Sequence, residues 1–145
     1  MTIPESGTIY VDTSIVIYSV ETHAVYWPCL EPMWAAARDG NIAIASSELT
    51  LLESLVGPLR SGDATLAAAY EQIFTASELR LLPVVQPVLR EAARLRATVP
   101  TLRTPDAIHA ATALIADCDV FLTNDEDFCG IPGLSVLILR DVLAA

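Results

Sequence analysis

Short apolar runs alternate with helical segments from one end of this chain to the other, and that alternation limits the fold more than any other feature. The runs are TIYVD at 8–12, NIAIA at 41–45, LRLLPV at 79–84, DVFLT at 119–123 and SVLIL at 135–139. The first two read as buried strands. Helices are expected between them. One follows Asp12, with Thr13 or Ser14 placed to cap it. The next covers 26–40, with Pro28 and Pro32 near its start and Gly40 as a stop. A third covers 46–62, opens on Ser46 or Ser47 and weakens at Gly57-Pro58. Others cover 63–77, 86–99 and 104–118, the last with Thr104 at the cap and Pro105 at the first helical position. A short DVLAA tail ends the sequence.

Strand–helix alternation predicts a three-layer α/β/α sandwich with a central, mostly parallel sheet of about five strands. The 145 residues fit one domain, 1–145. Hydrophobic residues make up 53% and charged residues 18%, which excludes disorder. No window of about 18 uninterrupted apolar residues suggests a membrane span. The N-terminus lacks a basic flank and an apolar signal core, so a cytoplasmic location is expected. Cys29, Cys118 and Cys129 have no metal-ligand spacing and read as reduced, mostly buried thiols. The net charge is −10 and every basic residue is Arg. This argues against a broad nucleic-acid-binding surface. It leaves room for a nuclease whose phosphate contacts run through a metal ion, and it suits a basic protein partner.

In open α/β sheets, ligands sit beyond the carboxyl ends of the strands, so the residues just after each strand carry the information. Asp12 ends the first run. As a turn acid it would be ordinary, but Thr13 and Ser14 already offer caps. Glu53 lies at the edge of a helical face formed by Leu49, Leu52, Leu55, Val56 and Leu59. Alone it reads as a boundary residue that can point into a cleft. Asp106 suits the first turn of its helix electrostatically. Ala110 and Ala113 stack beneath it and let that helix approach another backbone closely. His109 reads as a packing or surface residue. Asp125 follows the fourth run, with Glu126 and Asp127 behind it. Four carboxylates gathered at one edge would resist joint ionisation. A hard divalent ion removes that penalty, and oxygen donors favour Mg²⁺ or Mn²⁺ over zinc.

These residues resemble the PIN-domain ribonucleases, and more narrowly the VapC-like toxins of bacterial toxin–antitoxin pairs. The resemblance rests on IYVDTSIVIY (9–18), ELTLLE (48–53), RTPDAIHAATAL (103–114) and FLTNDEDF (121–128), in the family's order. It implies an acidic quartet of Asp12, Glu53, Asp106 and Asp125. Asp12, Asp106 and Asp125 would be metal ligands, and Glu53 would hold a water or act as base. Asp127 matches an additional acid, and Thr13 or Ser14 matches the small hydroxyl residue after the first aspartate. It further implies a Mg²⁺- or Mn²⁺-dependent endoribonuclease acting on RNA such as tRNA or rRNA. A homodimer and a VapB-like antitoxin that forms a heteromer with the toxin complete the expectation.

Arg90, Arg94 and Arg103 are candidate RNA contacts, set against a solvated face paired with Glu91. Trp27 and Trp34 share a helix face that serves either the core or a partner groove. Two other functions stay open. A haloacid-dehalogenase-like phosphatase would use Asp12 as nucleophile, but Ser14 stands where that family places a second acid. A non-catalytic binding module would keep the fold and not the chemistry.

Overall fold

The computed structural model describes residues 1–144. Five strands are all parallel: β1 (Thr8–Val11), β2 (Ala43–Ser47), β3 (Leu79–Leu82), β4 (Val120–Thr123) and β5 (Val136–Ile138). Their order is β3-β2-β1-β4-β5. The central strand pairs Ile9 with Ile44 on one side and with Val120 on the other. Successive strands are therefore added first on one side of β1 and then on the other, and a crevice is expected beyond its carboxyl end.

The helices are α1 (Thr13–Val20), α2 (Trp27–Arg38), α3 (Glu48–Ser61), α4 (Ala64–Thr75), α5 (Gln86–Thr98), α6 (Thr104–Ile115) and α7 (Leu139–Ala144). Side chains of one strand alternate between the two faces. Ile9, Val11 and Leu122 join Ile15, Leu30, Trp34 and Tyr70 in one core. Tyr10 and Phe121 point the other way, into a second core with Val88, Leu95, Leu102 and Ala110. Tyr10 stacks on Phe121 at 5.0 Å between ring centres. Ala107, Ala110, Ala111 and Ala113 are all fully buried, so α6 lies close against its neighbours.

Several expectations change. Helix α3 buries Thr50, Ser54 and Pro58, while Leu52, Val56 and Leu59 face outward, Leu59 at 70% exposure. Its apolar stripe is not its core face. The polar face is turned inward because Ser46 and Thr50 hydroxyls hydrogen-bond at 2.7 Å, and Ser46 also donates to the Val11 carbonyl. Thr104 lies inside α6, and Arg103 precedes the helix without a side-chain cap. Leu139 starts α7 rather than ending β5, and that helix takes in the DVLAA tail as far as Ala144. The thiols are free, but Cys129 is exposed and the other two are half-buried. Trp34 belongs to the core and donates to Ser19 Oγ at 2.9 Å, while Trp27 is half-buried beside it.

Candidate functional site

The chain folds its acids toward one edge because α1 and α3 leave the sheet there and α6 begins there. Asp12 directly follows β1 in extended backbone and is itself the cap of α1. Thr13 and Ser14, the expected caps, lie within the helix. Asp12 Oδ1 accepts the Ile15 N–H at 3.2 Å and the Ser14 hydroxyl at 2.7 Å. Its Oδ2 accepts the Thr123 hydroxyl. Asp12 is only 6% exposed. Burial pushes its carboxyl above the ordinary aspartate range, against the opposing pull of the Thr123 and Ser14 hydroxyls.

Glu53 comes from the second turn of α3. Its Oε1 accepts the Thr13 hydroxyl at 2.8 Å and lies 2.7 Å from His109 Nε2. Burial works to raise its carboxyl, but the His109 and Thr13 contacts, with Arg103 nearby, bring it below the usual glutamate range. Asp106 is buried in the first turn of α6, with Oδ2 at 3.4 Å from Arg103 Nε. Arg103 is 79% exposed, so this is a loose pairing.

Asp125 caps the 3₁₀ turn Glu126–Phe128 and accepts the Asp127 N–H at 2.9 Å. Its own N–H donates to Thr123 Oγ1 at 2.9 Å. Arg140 braces this turn, donating from its backbone to Asn124 Oδ1 and from its guanidinium to the Asn124 carbonyl. It also reaches the exposed Glu126 at 3.4 Å. Asp127 is exposed.

Hydroxyls thus link the acids. Thr123 joins Asp12 to Asp125, Thr13 joins the start of α1 to Glu53, and His109 ties Glu53 to the helix that carries Asp106. The importance of His109 was not legible as a packing or surface histidine. It is 3% exposed, and its Nδ1 lies 2.7 Å from the Tyr10 hydroxyl. The available signal was its spacing, three residues after Asp106 and so on the same helix face. Arg103 reaches the acids. Arg94 pairs with Glu91 at 2.9 Å and Arg90 with Gln86, so these two belong to the surface of α5.

A hard divalent cation suits this chemistry. Asp12 is a buried carboxylate whose hydrogen-bond partners are two hydroxyls and one amide, with no Lys or Arg among them. Among the described residues no three of His, Cys, Asp and Glu converge closely enough to cage an ion. Carboxylate oxygens of this kind are donors suited to a hard ion that keeps several of its waters. Position 14, where a phosphatase of the dehalogenase type needs its second acid, holds a serine bonded to Asp12. No described helix is long and apolar enough to cross a membrane.

The family model for the PIN domain matches residues 9–134. No curated protein matches the sequence. Among solved structures, VapBC2 of Rickettsia felis, bound to a DNA fragment from its promoter, contains a chain 24% identical to this one. The match covers 90% of this chain and 98% of that one, with a TM-score of 0.70. VapBC-5 of Mycobacterium tuberculosis, from a family of toxin–antitoxin systems, is 26% identical over 93% and 98% of the chains, with a TM-score of 0.56. FitAcB of Neisseria gonorrhoeae is 18% identical over 91% and 98%, with a TM-score of 0.68. Other solved structures with a similar chain include a toxin–antitoxin complex from Klebsiella pneumoniae, 23% identical over 90% and 97% of the chains, with a TM-score of 0.61.

Proposed function

The chain belongs to the PIN domain family, and from that premise we propose that it is a Mg²⁺- or Mn²⁺-dependent endoribonuclease, the toxin of a VapBC-like pair. The family consists typically of nucleases, and the structural neighbours are toxins. One observation carries the reading furthest. Asp12 is buried beyond the end of β1, and its hydrogen-bond partners are two hydroxyls and one amide with no cationic side chain among them.

Asp12 and Asp106 hold the ion in this proposal, with Asp125 binding directly or through water and Asp127 as an outer acid. Such an ion would supply Lewis acidity toward a water and the phosphodiester charge, and Asp12 and Asp106 are the residues that would hold it. Ser14 and Thr123 hold the Asp12 carboxylate in one orientation. Glu53, ionised and fixed at Oε1, takes the proton of the attacking water at Oε2. Arg103 contacts an RNA phosphate beside Asp106. Cleavage leaves a 5′-phosphate and a 3′-hydroxyl. The substrate is RNA such as tRNA or rRNA, in the cytoplasm. The partners are a second copy and a VapB-like antitoxin, whose basic groups suit a chain of charge −10.

Mapping new RNA 5′ ends after induction tests this directly. Wild-type protein should produce discrete new ends, and Asp12→Asn should produce none. Full metal-dependent cleavage by folded, purified Asp12→Asn protein overturns the assignment.

A further inference from the structure

The histidine on α6 touches an acid of the site on one side and a buried phenol on the other. His109 Nε2 lies 2.7 Å from Glu53 Oε1, and Nδ1 lies 2.7 Å from the Tyr10 hydroxyl. Tyr10 is fully buried in β1, edge-on to the His109 ring and stacked on Phe121. All three side chains are thus held by sheet or helix rather than by a loop.

The protons on the ring follow from these contacts. A nitrogen 2.7 Å from a carboxylate oxygen must carry a proton, since two lone pairs at that distance repel. Nε2 therefore bears N–H. The Tyr10 hydroxyl lies 2.7 Å from Nδ1, with the Ser46 hydroxyl and the Ser47 backbone N–H also near it. The Ser47 N–H can only donate and the Ser46 hydroxyl gives its proton to the Val11 carbonyl, so Nδ1 is the close acceptor for the phenol proton, and a proton on Nδ1 as well would set N–H against O–H in a buried site. The phenol donates, Nδ1 accepts, and the ring is the neutral Nε2–H tautomer.

Glu53 Oε1 then receives two donors, His109 Nε2–H and the Thr13 hydroxyl. Among the described residues Oε2 receives none. We propose that His109 is a positioning residue for Glu53, set by Tyr10 in the Nε2–H tautomer, and that it fixes Oε1 so that Oε2 is the oxygen left to accept a proton. This rests on the reading of Glu53 as the base. It makes Tyr10, although buried in the core, part of the support of the site. Partners that orient a reactive group in this way are typically worth about 10–100-fold.

Two measurements test it. The first is ¹⁵N NMR of the imidazole in the full-length protein at neutral pH, without added metal. Wild type should show protonated Nε2 and unprotonated Nδ1. Tyr10→Phe should weaken that preference, and Glu53→Gln should move the Nε2 resonance. The second is Mn²⁺-dependent cleavage of a fluorescent single-stranded RNA oligonucleotide. His109→Leu should lower kcat by about 10–100-fold with KM changed less than about twofold. His109→Gln, which keeps an amide donor at the Nε2 position, should recover most of kcat, and His109→Asn should not. A ring protonated on Nδ1 in wild type overturns the inference, as does an Nε2 resonance unmoved by Glu53→Gln or full kcat in His109→Leu. If wild type cleaves no RNA with any divalent metal, the nuclease reading fails, and the NMR results still decide the role of His109.

Discussion

Thr123 serves Asp12 and Asp125 at once: its hydroxyl donates to Asp12 Oδ2 and accepts the backbone N–H of Asp125 at 2.9 Å. One oxygen at the end of β4 sets the positions of two acids from different strands. Thr123→Val keeps the shape and removes both contacts. The Asp12 carboxylate then loses a donor in a buried site, which costs about 1–3 kcal/mol. Chemical denaturation at pH 7.5 should show that loss. It should shrink toward acid, as Asp12 takes up its proton and no longer needs the donor as an anion.

Asp12→Asn should act in the opposite direction. The folded pKa of Asp12 is raised by burial, so its contribution to stability is present below the unfolded value and is lost as pH rises through the folded one. Above the unfolded value, the raised folded pKa works against the metal-free fold. Asn at this position should raise the melting temperature by a few degrees at pH 7.5, and the gain should fade toward acid. Millimolar Mg²⁺ or Mn²⁺ should stabilise wild type, by about 2.7 kcal/mol at a hundred times Kd, and leave Asp12→Asn unmoved. Equal metal stabilisation of both proteins contradicts the role given to Asp12.

Glu53 carries the reverse sign. Its folded pKa is lowered, because the His109 and Thr13 contacts outweigh burial, so its stabilisation is present above the unfolded value and is lost as pH falls through the folded one. Glu53→Gln should therefore be less stable than wild type at pH 7. The two melting curves should converge as pH falls below the ordinary glutamate range. A gap that is constant with pH rules out this linkage.

Ser54 lies one residue beyond Glu53, on the buried side of α3, and its Oγ has no partner among the described residues. Ser54→Ala removes that unpaired oxygen and adds a better helix former. A gain of about 1 kcal/mol is expected, seen as a melting temperature higher by about 2–4 °C. A loss of stability would mean that the hydroxyl has a partner in solution.

The strands were legible because apolar runs buried on both faces leave a plain trace, as in TIYVD and DVFLT. Their order was not, because pairing Ile9 with both Ile44 and Val120 is a long-range matter. Asp12, Asp106 and Asp125 stand out as candidates by their place after a strand or at a helix start, and Glu53 by its place at the edge of a helical face. The cap of α1 was misjudged for a physical reason. A carboxylate with two oxygens can cap a helix and receive hydroxyls at the same time, so a nearby Thr or Ser does not release Asp12 from the cap. The outward stripe of α3 was missed because periodicity reports which residues share a face and not which way that face points. His109 was missed because its value depends on Tyr10, 99 positions earlier.

The 111 positions between Asp12 and Thr123 also set a schedule. The first acid leaves the ribosome early, and its donor and the fourth acid emerge near the end of synthesis. Until β4 slides in beside β1, a nascent chain has Asp12, Glu53 and Asp106 but lacks both the hydroxyl that steadies the first and the turn that bears Asp125. The order of synthesis thus leaves the candidate site incomplete until β4 has joined β1.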